Sequence, residues 1–335
     1  MTNPWYTAPD GLVPLADIRA ERVEWLWPGR IPCGALTVVD GDPGLGKSTV
    51  LVDIAARVST GTAMPGSNTA ATRGGADVLF LSAEDSPSHT LRPRLEAAGG
   101  DLARVHVFGP EAEFQTLDDH AYFRAAIEER SAKLVVIDPF VALLPSFVDA
   151  FRDQEIRSLL RPFAVVAGEL GCAIVLIRHL TKAAGPAAIY RGGGSIGIIA
   201  AARSGLLLAK DPRAPSDRVL ASIKSNLGPP PPALGLRVVP HGETSRIEWL
   251  GETDLTADQL VAPPPNDGRR IDEAADFLRA ELANGPVSSK DLYERAKAEG
   301  VTERTLQRAK RELAVKSFPE GAGWSWRLPT TAGKG

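Results

Sequence analysis

Short apolar runs alternate with helical stretches through the first two thirds of the chain. "ALTVVDG" (35–41) carries β-branched residues, ends in glycine and reads as a buried strand, and a helix is predicted from about Gly46 to Ser59. "ADVLFLSAED" (76–85) predicts a second strand, after which Ser86-Pro87 supplies an N-cap and a proline at the first helical position. "VHVFG" (105–109), "AKLVVIDPF" (132–140) and "CAIVLIRHL" (172–180) predict three more strands. A helix ending near Glu129 precedes the second of these, and a helix over 151–171 with a kink at Pro162 precedes the third. Apolar strands alternating with helices indicate a parallel sheet covered on both faces.

The pattern changes after residue 200. "SGLLLAKD", "RVLASIKSN", "LGLRVVPHG" and "RIEWLG" read as short strands that add to the sheet antiparallel, and "PPPP" (229–232) cannot be a sheet centre. "APPPNDG" (262–268) is the best linker in the chain. Beyond it Ile271, Ala275, Leu278 and Leu282 recur at helical spacing until Asn284-Gly285. Ser288 with Asp291 predicts a capping box opening a second helix to Gly300, and Thr302 caps a third with Leu306, Ala309 and Leu313 facing inward. Arg304, Arg308 and Arg311 fall on its other face, and "GWSWRL" (323–328) alternates like a strand. Three helices and a strand suggest a winged helix-turn-helix with a basic recognition helix. The expected division is an N-terminal arm (1–30), an α/β core (31–255), a linker (256–268), a winged-helix-like domain (269–329) and a tail (330–335).

Composition narrows the class. The 335 residues are 44% hydrophobic with a net charge of −3, enough for one large and one small core. The segment from 268 onward holds 13 Lys or Arg against 10 Asp or Glu, so a basic end follows an acidic body, a weak sign of nucleic acid. No run of eighteen apolar residues predicts a membrane span, and "MTNPWYTAPDG" has no basic start or apolar region of a secretory signal, so a cytoplasmic protein without membrane contact is expected. Cys33 and Cys172 sit next to or inside apolar runs and read as buried thiols.

The chemistry is concentrated in one octamer. Gly41-Asp42-Pro43-Gly44-Leu45-Gly46-Lys47-Ser48 fits G-x-x-x-x-G-K-[ST], with Thr49 next, a strand before it and a helix after it. The glycines let backbone N–H groups wrap the phosphates of ATP, and the helix N-terminus adds its positive end. Lys47 is expected on the β- and γ-phosphates and the Ser48 hydroxyl on Mg²⁺. Asp138 ends the run Leu134-Val135-Val136-Ile137-Asp138, where a Mg²⁺-associated carboxylate belongs. Glu84 and Asp85 end the second strand; Glu84, with the longer arm, is the candidate base for an attacking water, while Asp85 can also serve the helix start.

"LWPGRIPCGALTVVDGDPGLGKST", "LSAED", "LVVIDP", "IRH" and "GGGSIGIIAAARSGLLL … IKSNLG", in this order, resemble the RecA-like hexameric ATPases of the RepA type, to which plasmid-encoded replicative helicases belong. The resemblance covers residues 22–250 and implies a RecA-like P-loop core, a homo-oligomer that forms a six-membered ring, and further site residues. His179 takes the position of a sensor of the γ-phosphate. Arg203 matches the arginine such rings insert into a neighbour's site, and Lys224 a second trans-acting base, where the related helicases read Lys-x-Arg and this chain has Asn226. Two segments, 139–153 and 181–195, the latter with Lys182 and Arg191, would meet single-stranded DNA.

The leading expectation is therefore an ATP-hydrolysing DNA motor, a replicative helicase of a plasmid, phage or integrated element, with Arg304, Arg308 and Arg311 contacting duplex DNA. The alternative is an ATP-switched DNA-binding regulator that does not unwind. A small-molecule kinase is more distant, because no lid-like arginine cluster follows the phosphate loop.

Overall fold

The computed structural model describes residues 13–70, 72–108, 116–180, 188–190, 192–262, 265–321 and 323–329. The chain enters its core earlier than an arm over 1–30 would. β1 (Trp25–Trp27) pairs antiparallel with β2 (Ile31–Pro32), and Leu26 and Trp27 are fully buried. The two indoles of the segment are too apolar to stay outside. Trp27 packs edge-on against Trp249 with ring centroids 5.6 Å apart, and the Arg30 guanidinium lies over Trp27 at 5.2 Å.

The main sheet begins with β3 (Leu36–Gly41), followed by α1 (Lys47–Thr60), β4 (Val78–Ser82), α2 (Arg92–Ala97), β5 (Val105–Val107), α3 (His120–Arg130) and β6 (Leu134–Asp138). It continues through α4 (Asp153–Leu170), β7 (Ala173–His179), α5 (Ile196–Ala201), β8 (Ser204–Lys210), β9 (Arg218–Ser225), β10 (Ala233–His241) and β11 (Thr244–Thr253). The nine strands run β11-β10-β9-β8-β3-β7-β6-β4-β5. From β5 to β8 every pairing is parallel, while β8–β9, β9–β10 and β10–β11 are antiparallel. This is an α/β core with a mostly parallel sheet and antiparallel strands added at its C-terminal side. One expectation changes: Ser204–Lys210 is not antiparallel but lies parallel to β3, since α5 carries the chain back to the sheet's starting edge before it re-enters.

Alternation along the strands fills two cores. Leu134, Val136, Ala173, Val175 and Ile177 join α1 and α2 on one face, whereas Val135, Ile137, Ile174 and Leu176 join α4 and α5 on the other. Each inner strand is buried on both faces, which is why it reads as a continuous apolar run. Helix α4 runs through Pro162 without ending there. Ser86 caps the following helix by accepting from the His89 N–H, but that helix opens as one π-type turn, Pro87–Leu91, before α2.

Residues 256–262 do not behave as linker. Thr256 and Gln259 form a capping box for α6 (Ala257–Val261), Ala257 is buried against β8 and β9, and the Asp258 carboxylate accepts from the Ala188 N–H at 3.1 Å. The chain divides into compact units at Met1–Ala262 and Pro263–Gly335.

The second unit contains α7 (Pro265–Leu282), β12 (Val287–Ser288), α8 (Ser289–Ala298), α9 (Glu303–Glu312), β13 (Lys316–Glu320) and β14 (Gly323–Arg327). Helix α7 thus starts inside the proline-rich stretch read as linker, because a proline fits a first helical turn, where its missing N–H is not needed. The strands form a sheet in the order β12-β14-β13. Ile271, Ala275, Leu278, Leu282, Leu306 and Ala309 are buried as their spacing predicts, with Leu313 packed at the margin. Thr302 accepts from the Thr305 N–H at 3.3 Å. Ser288 makes no cap hydrogen bond; it is drawn into the bridge with Ser325, and the capping box does not form. Strand β13 carries Pro319 and gave no strand signal.

Candidate functional site

The carboxyl ends of β3, β4, β6 and β7 lie on one edge of the sheet, with Gly41 opposite His179 and Ser82 opposite Asp138. The phosphate loop leaves β3 at this edge and turns into α1 at Gly46, whose φ of 92° suits glycine. Gly41 needs no side chain for another reason: a Cβ there would stand 2.6 Å from the Leu208 carbonyl oxygen. The loop opens onto a cleft of about 570 Å³. Pro43, Gly44, Gly46, Lys47, Ser48 and Thr49 line it, joined by Glu84, Asp138 and His179. The Leu45 side chain turns into the core instead, and the Asp42 side chain is exposed while its carbonyl accepts from Lys47.

Lys47 is 4% exposed, and its ammonium donates to the Gly41 and Asp42 carbonyls at 2.8 and 2.9 Å. It also lies 3.0 Å from His179 Nδ1. An ammonium only donates, so Nδ1 accepts and His179 is neutral in this contact. Burial pulls the Lys47 ammonium below its usual range, with Asp138 the foremost opposing charge. Burial, and then the Lys47 charge, pulls the His179 imidazole below its usual range as well. His179 and Lys47 thus hold each other in the cleft.

Asp138 is 5% exposed and its carboxyl is pushed up to about 6, chiefly by burial, against the hydrogen bond from the Ser48 side chain. Its Oδ2 is buried with no hydrogen-bond partner. A buried acceptor left open beside a hydroxyl fits a hard cation, so Ser48 and Asp138 can hold Mg²⁺. Among the described residues no group of three His, Cys, Asp or Glu forms a metal site by itself. Two protein oxygens suit Mg²⁺, which takes its remaining ligands from phosphate and water.

Glu84 and Asp85 stand beyond β4, which ends at Ser82. Asp85 also lines the cleft, but it is held in an ion pair with Arg94 at 2.9 Å and accepts no cap bond. Glu84 is exposed, lines the cleft and makes no hydrogen bond or ion pair among the described residues. It is the carboxylate of the two that is free to address a water.

Arg203 and Lys224 lie elsewhere. Arg203 precedes β8, and its N–H bonds the Leu36 carbonyl at the start of β3. From Leu36 to the phosphate loop is five residues of strand, or roughly 17 Å. The Arg203 side chain is exposed and without a partner among the described residues. Lys224 sits at the same far edge, but its ammonium donates to the Ile199 and Ala200 carbonyls at 2.8 and 3.1 Å and so caps the C-terminus of α5. Burial, then the Arg203 charge, holds it below the usual range. Lys182 and Arg191 lie outside the described residues. In the second unit Arg304 and Arg311 are exposed and Arg308 half-buried, while Lys310 of the same helix sits 3.8 Å over the Trp326 ring.

Three features were not read from the sequence. Arg94, Arg218, Val238 and Ser245 also line the cleft, the last three from β9, β10 and β11; strand pairing after residue 200 brings them there, and no local motif marks it. Asp40 and Arg178 form a buried bidentate ion pair at 2.7 Å for each contact. The segments after β6 and β7 also meet, through the Ser195 N–H and the Ala150 carbonyl at 2.7 Å.

Known proteins resemble parts of the chain. The DNA repair protein RadA of Bacillus subtilis (strain 168) is 28% identical over 156 residues, covering 46% of this chain and 30% of its own length. RadA of Mycolicibacterium smegmatis is 24% identical over 305 residues, covering 79% of this chain and 59% of its own. The chain therefore spans less than two thirds of the length of these relatives. A solved ATPase domain superposes with a TM-score of 0.45 at 14% identity, over 61% of this chain and 81% of its own. The sequence profile described as AAA domain matches residues 9–185, more than half of the chain and the whole phosphate site from Gly41 to His179. The chain belongs to the AAA domain family.

Proposed function

We propose that the protein is an ATP-hydrolysing motor that assembles as a ring on DNA, a replicative helicase of a plasmid, phage or integrated element. The observation that carries this reading is the division of groups between the two edges of the sheet. Lys47, Ser48, Asp138, Glu84 and His179 gather at the carboxyl edge, while Arg203 stands free at the opposite edge, too far away to serve its own cleft. A free arginine there is of use to the cleft of a neighbouring subunit.

In this reading Lys47 leaves the Gly41 and Asp42 carbonyls for the β- and γ-phosphates. His179 then loses its ammonium partner and is available to the γ-phosphate. Glu84 orients the attacking water. Mg²⁺, when bound to Ser48 and Asp138, supplies charge neutralisation on the phosphate oxygens. Arg203 of a neighbour completes the site, an effect of about 10³–10⁵ in turnover in comparable enzymes. Lys224 stays at its α5 cap and contributes by holding the edge that carries Arg203.

The segments 139–153 and 181–195 are proposed to meet single-stranded DNA, the latter through Lys182 and Arg191. The second unit, with three helices and three strands, is proposed to be a winged helix that places Arg304, Arg308 and Arg311 on duplex DNA. Relatives named for DNA repair support a DNA-acting motor without deciding between replication and repair. The regulator reading draws its support from the same basic helix.

The test is strand displacement on a forked substrate with ATP, run beside hydrolysis with and without single-stranded DNA. The motor displaces the strand and is stimulated; a regulator does neither. Mixing Arg203→Ala with Lys47→Ala protein, each inactive alone, is expected to restore hydrolysis because intact clefts meet intact arginines. A monomeric preparation that hydrolyses ATP as fast as the assembled form would sink the shared-site reading.

A further inference from the structure

Asp40 stands one residue before Gly41, where the phosphate loop leaves β3, and Arg178 one residue before His179, which lines the cleft. Alternation turns them to the other face of the sheet, the face that Leu36, Val38, Ile174 and Leu176 share with α4 and α5. They are direct partners across β3 and β7. Arg178 Nε donates to Asp40 Oδ1 and Nη2 to Oδ2, both at 2.7 Å, with side chains 2% and 0% exposed. A bidentate fork of this kind fixes orientation as well as distance.

The rest of the guanidinium reaches the segments that leave the sheet at the cleft edge. Nη1 donates to the Ser195 carbonyl at 3.4 Å. Ser195 in turn donates its N–H to the Ala150 carbonyl at 2.7 Å and its hydroxyl to Asp153 Oδ1 at 2.9 Å. Gly192 lies flat on the guanidinium: a Cβ there would stand 1.8 Å from Nη2. The return of the segment after β7 and the end of the segment after β6 therefore both close on Arg178.

We propose that Arg178 is a positioning residue that couples occupancy of the phosphate site to the two segments that follow β6 and β7. A packed interior shifts between discrete arrangements more readily than it deforms smoothly. With Asp40 clamped to Arg178, a displacement of the β3 end on phosphate binding is passed to Gly192 and Ser195 instead of being absorbed between them. The proposal rests on the phosphate-binding reading and does not need nucleic acid.

The test uses the full chain and the double variant Asp40→Leu/Arg178→Met, which removes both charges and leaves neither partner buried alone. Two quantities are read: the Kd for a fluorescent, non-hydrolysable ATP analogue with Mg²⁺, and hydrogen exchange in peptides covering 145–153 and 188–200 with and without that analogue. In the wild-type protein the analogue is expected to change exchange in both segments at least about fivefold, the lower range of site-to-site coupling. In the double variant the Kd stays within a small factor while both segments stop responding. Arg178→Lys, which keeps the charge without the fork, responds partially. Should the double variant not fold, Gly192→Ala keeps both charges but forces the guanidinium to shift from its place on Asp40, since the added Cβ would stand 1.8 Å from Nη2, and is expected to blunt the response of 188–200 at unchanged Kd. A double variant, or Gly192→Ala in its place, with full nucleotide response overturns the proposal, as do wild-type segments that ignore a bound analogue. A wild-type protein that binds no analogue fails in the Kd arm and strikes the phosphate-site reading itself.

Discussion

At the scale of single residues, Asp138 has the sharpest physical consequence. Its carboxyl is held near 6 by burial, above the ordinary value of 3.8. Between about pH 4 and 6 the folded chain therefore binds a proton that the unfolded chain has released, so this group makes stability fall as pH rises through that window. The shift of about two units corresponds to roughly 3 kcal/mol at most. Asp138→Asn is expected to remove this loss, so that denaturant unfolding of the nucleotide-free variant changes less between pH 4 and 7 than that of the wild type. Parallel profiles would contradict the assignment. The same variant lacks the charge needed for a cation and is expected to lose Mg²⁺-dependent nucleotide binding. The burial that suits Asp138 to an ion thus costs stability above about pH 4.

At the scale of elements, a short cap governs α9. Thr302 satisfies the Thr305 N–H, and Thr302→Ala is expected to cost about 1 kcal/mol. In a unit of this size that lowers its midpoint by roughly 4–8 °C, read by calorimetry. An unchanged midpoint would show that helix α9 does not depend on its cap. Caps with a local signal were legible in the sequence: Ser86 and Thr302 both act as read. Ser288 looked equally good and fails, because its pairing with Ser325 is set by a strand nearly forty residues away. The same division holds for the candidate site. The octamer, Asp138 and Glu84 come from strand ends that announce themselves by composition, and they meet in one cleft. Arg218 and the Asp40–Arg178 pair come from pairing between distant strands, which one sequence does not encode locally, while Arg94 arrives from α2. The N-terminal hairpin was missed for a related reason: Trp25–Trp27 is too short to show a period, and Trp27 packs against Trp249, far along the chain.

At the scale of the whole molecule, the described residues fall into two compact units, the first with a core on each face of the nine-stranded sheet and the second with a core of its own. Compact units, each with its own core, unfold as separate cooperative steps. Calorimetry of the full chain is expected to show two transitions, with a nucleotide analogue and Mg²⁺ raising the one and Thr302→Ala lowering the other. One transition that moves as a whole under both changes would refute this.

The contact between Trp27 and Trp249 gives the molecule a property beyond packing. Trp249 also donates its indole N–H to Asp53 at 2.9 Å, and Asp53 lies on α1, the helix that begins with Lys47 and Ser48. The indole pair is thereby wired to the helix that opens at the phosphates. Its emission colour depends on the polarity and charge at the ring, so the chain holds an intrinsic optical reporter of α1. With Trp5, Trp25, Trp324 and Trp326 removed from the signal by substitution, ligand arrival at the cleft can be followed by light without attaching a dye.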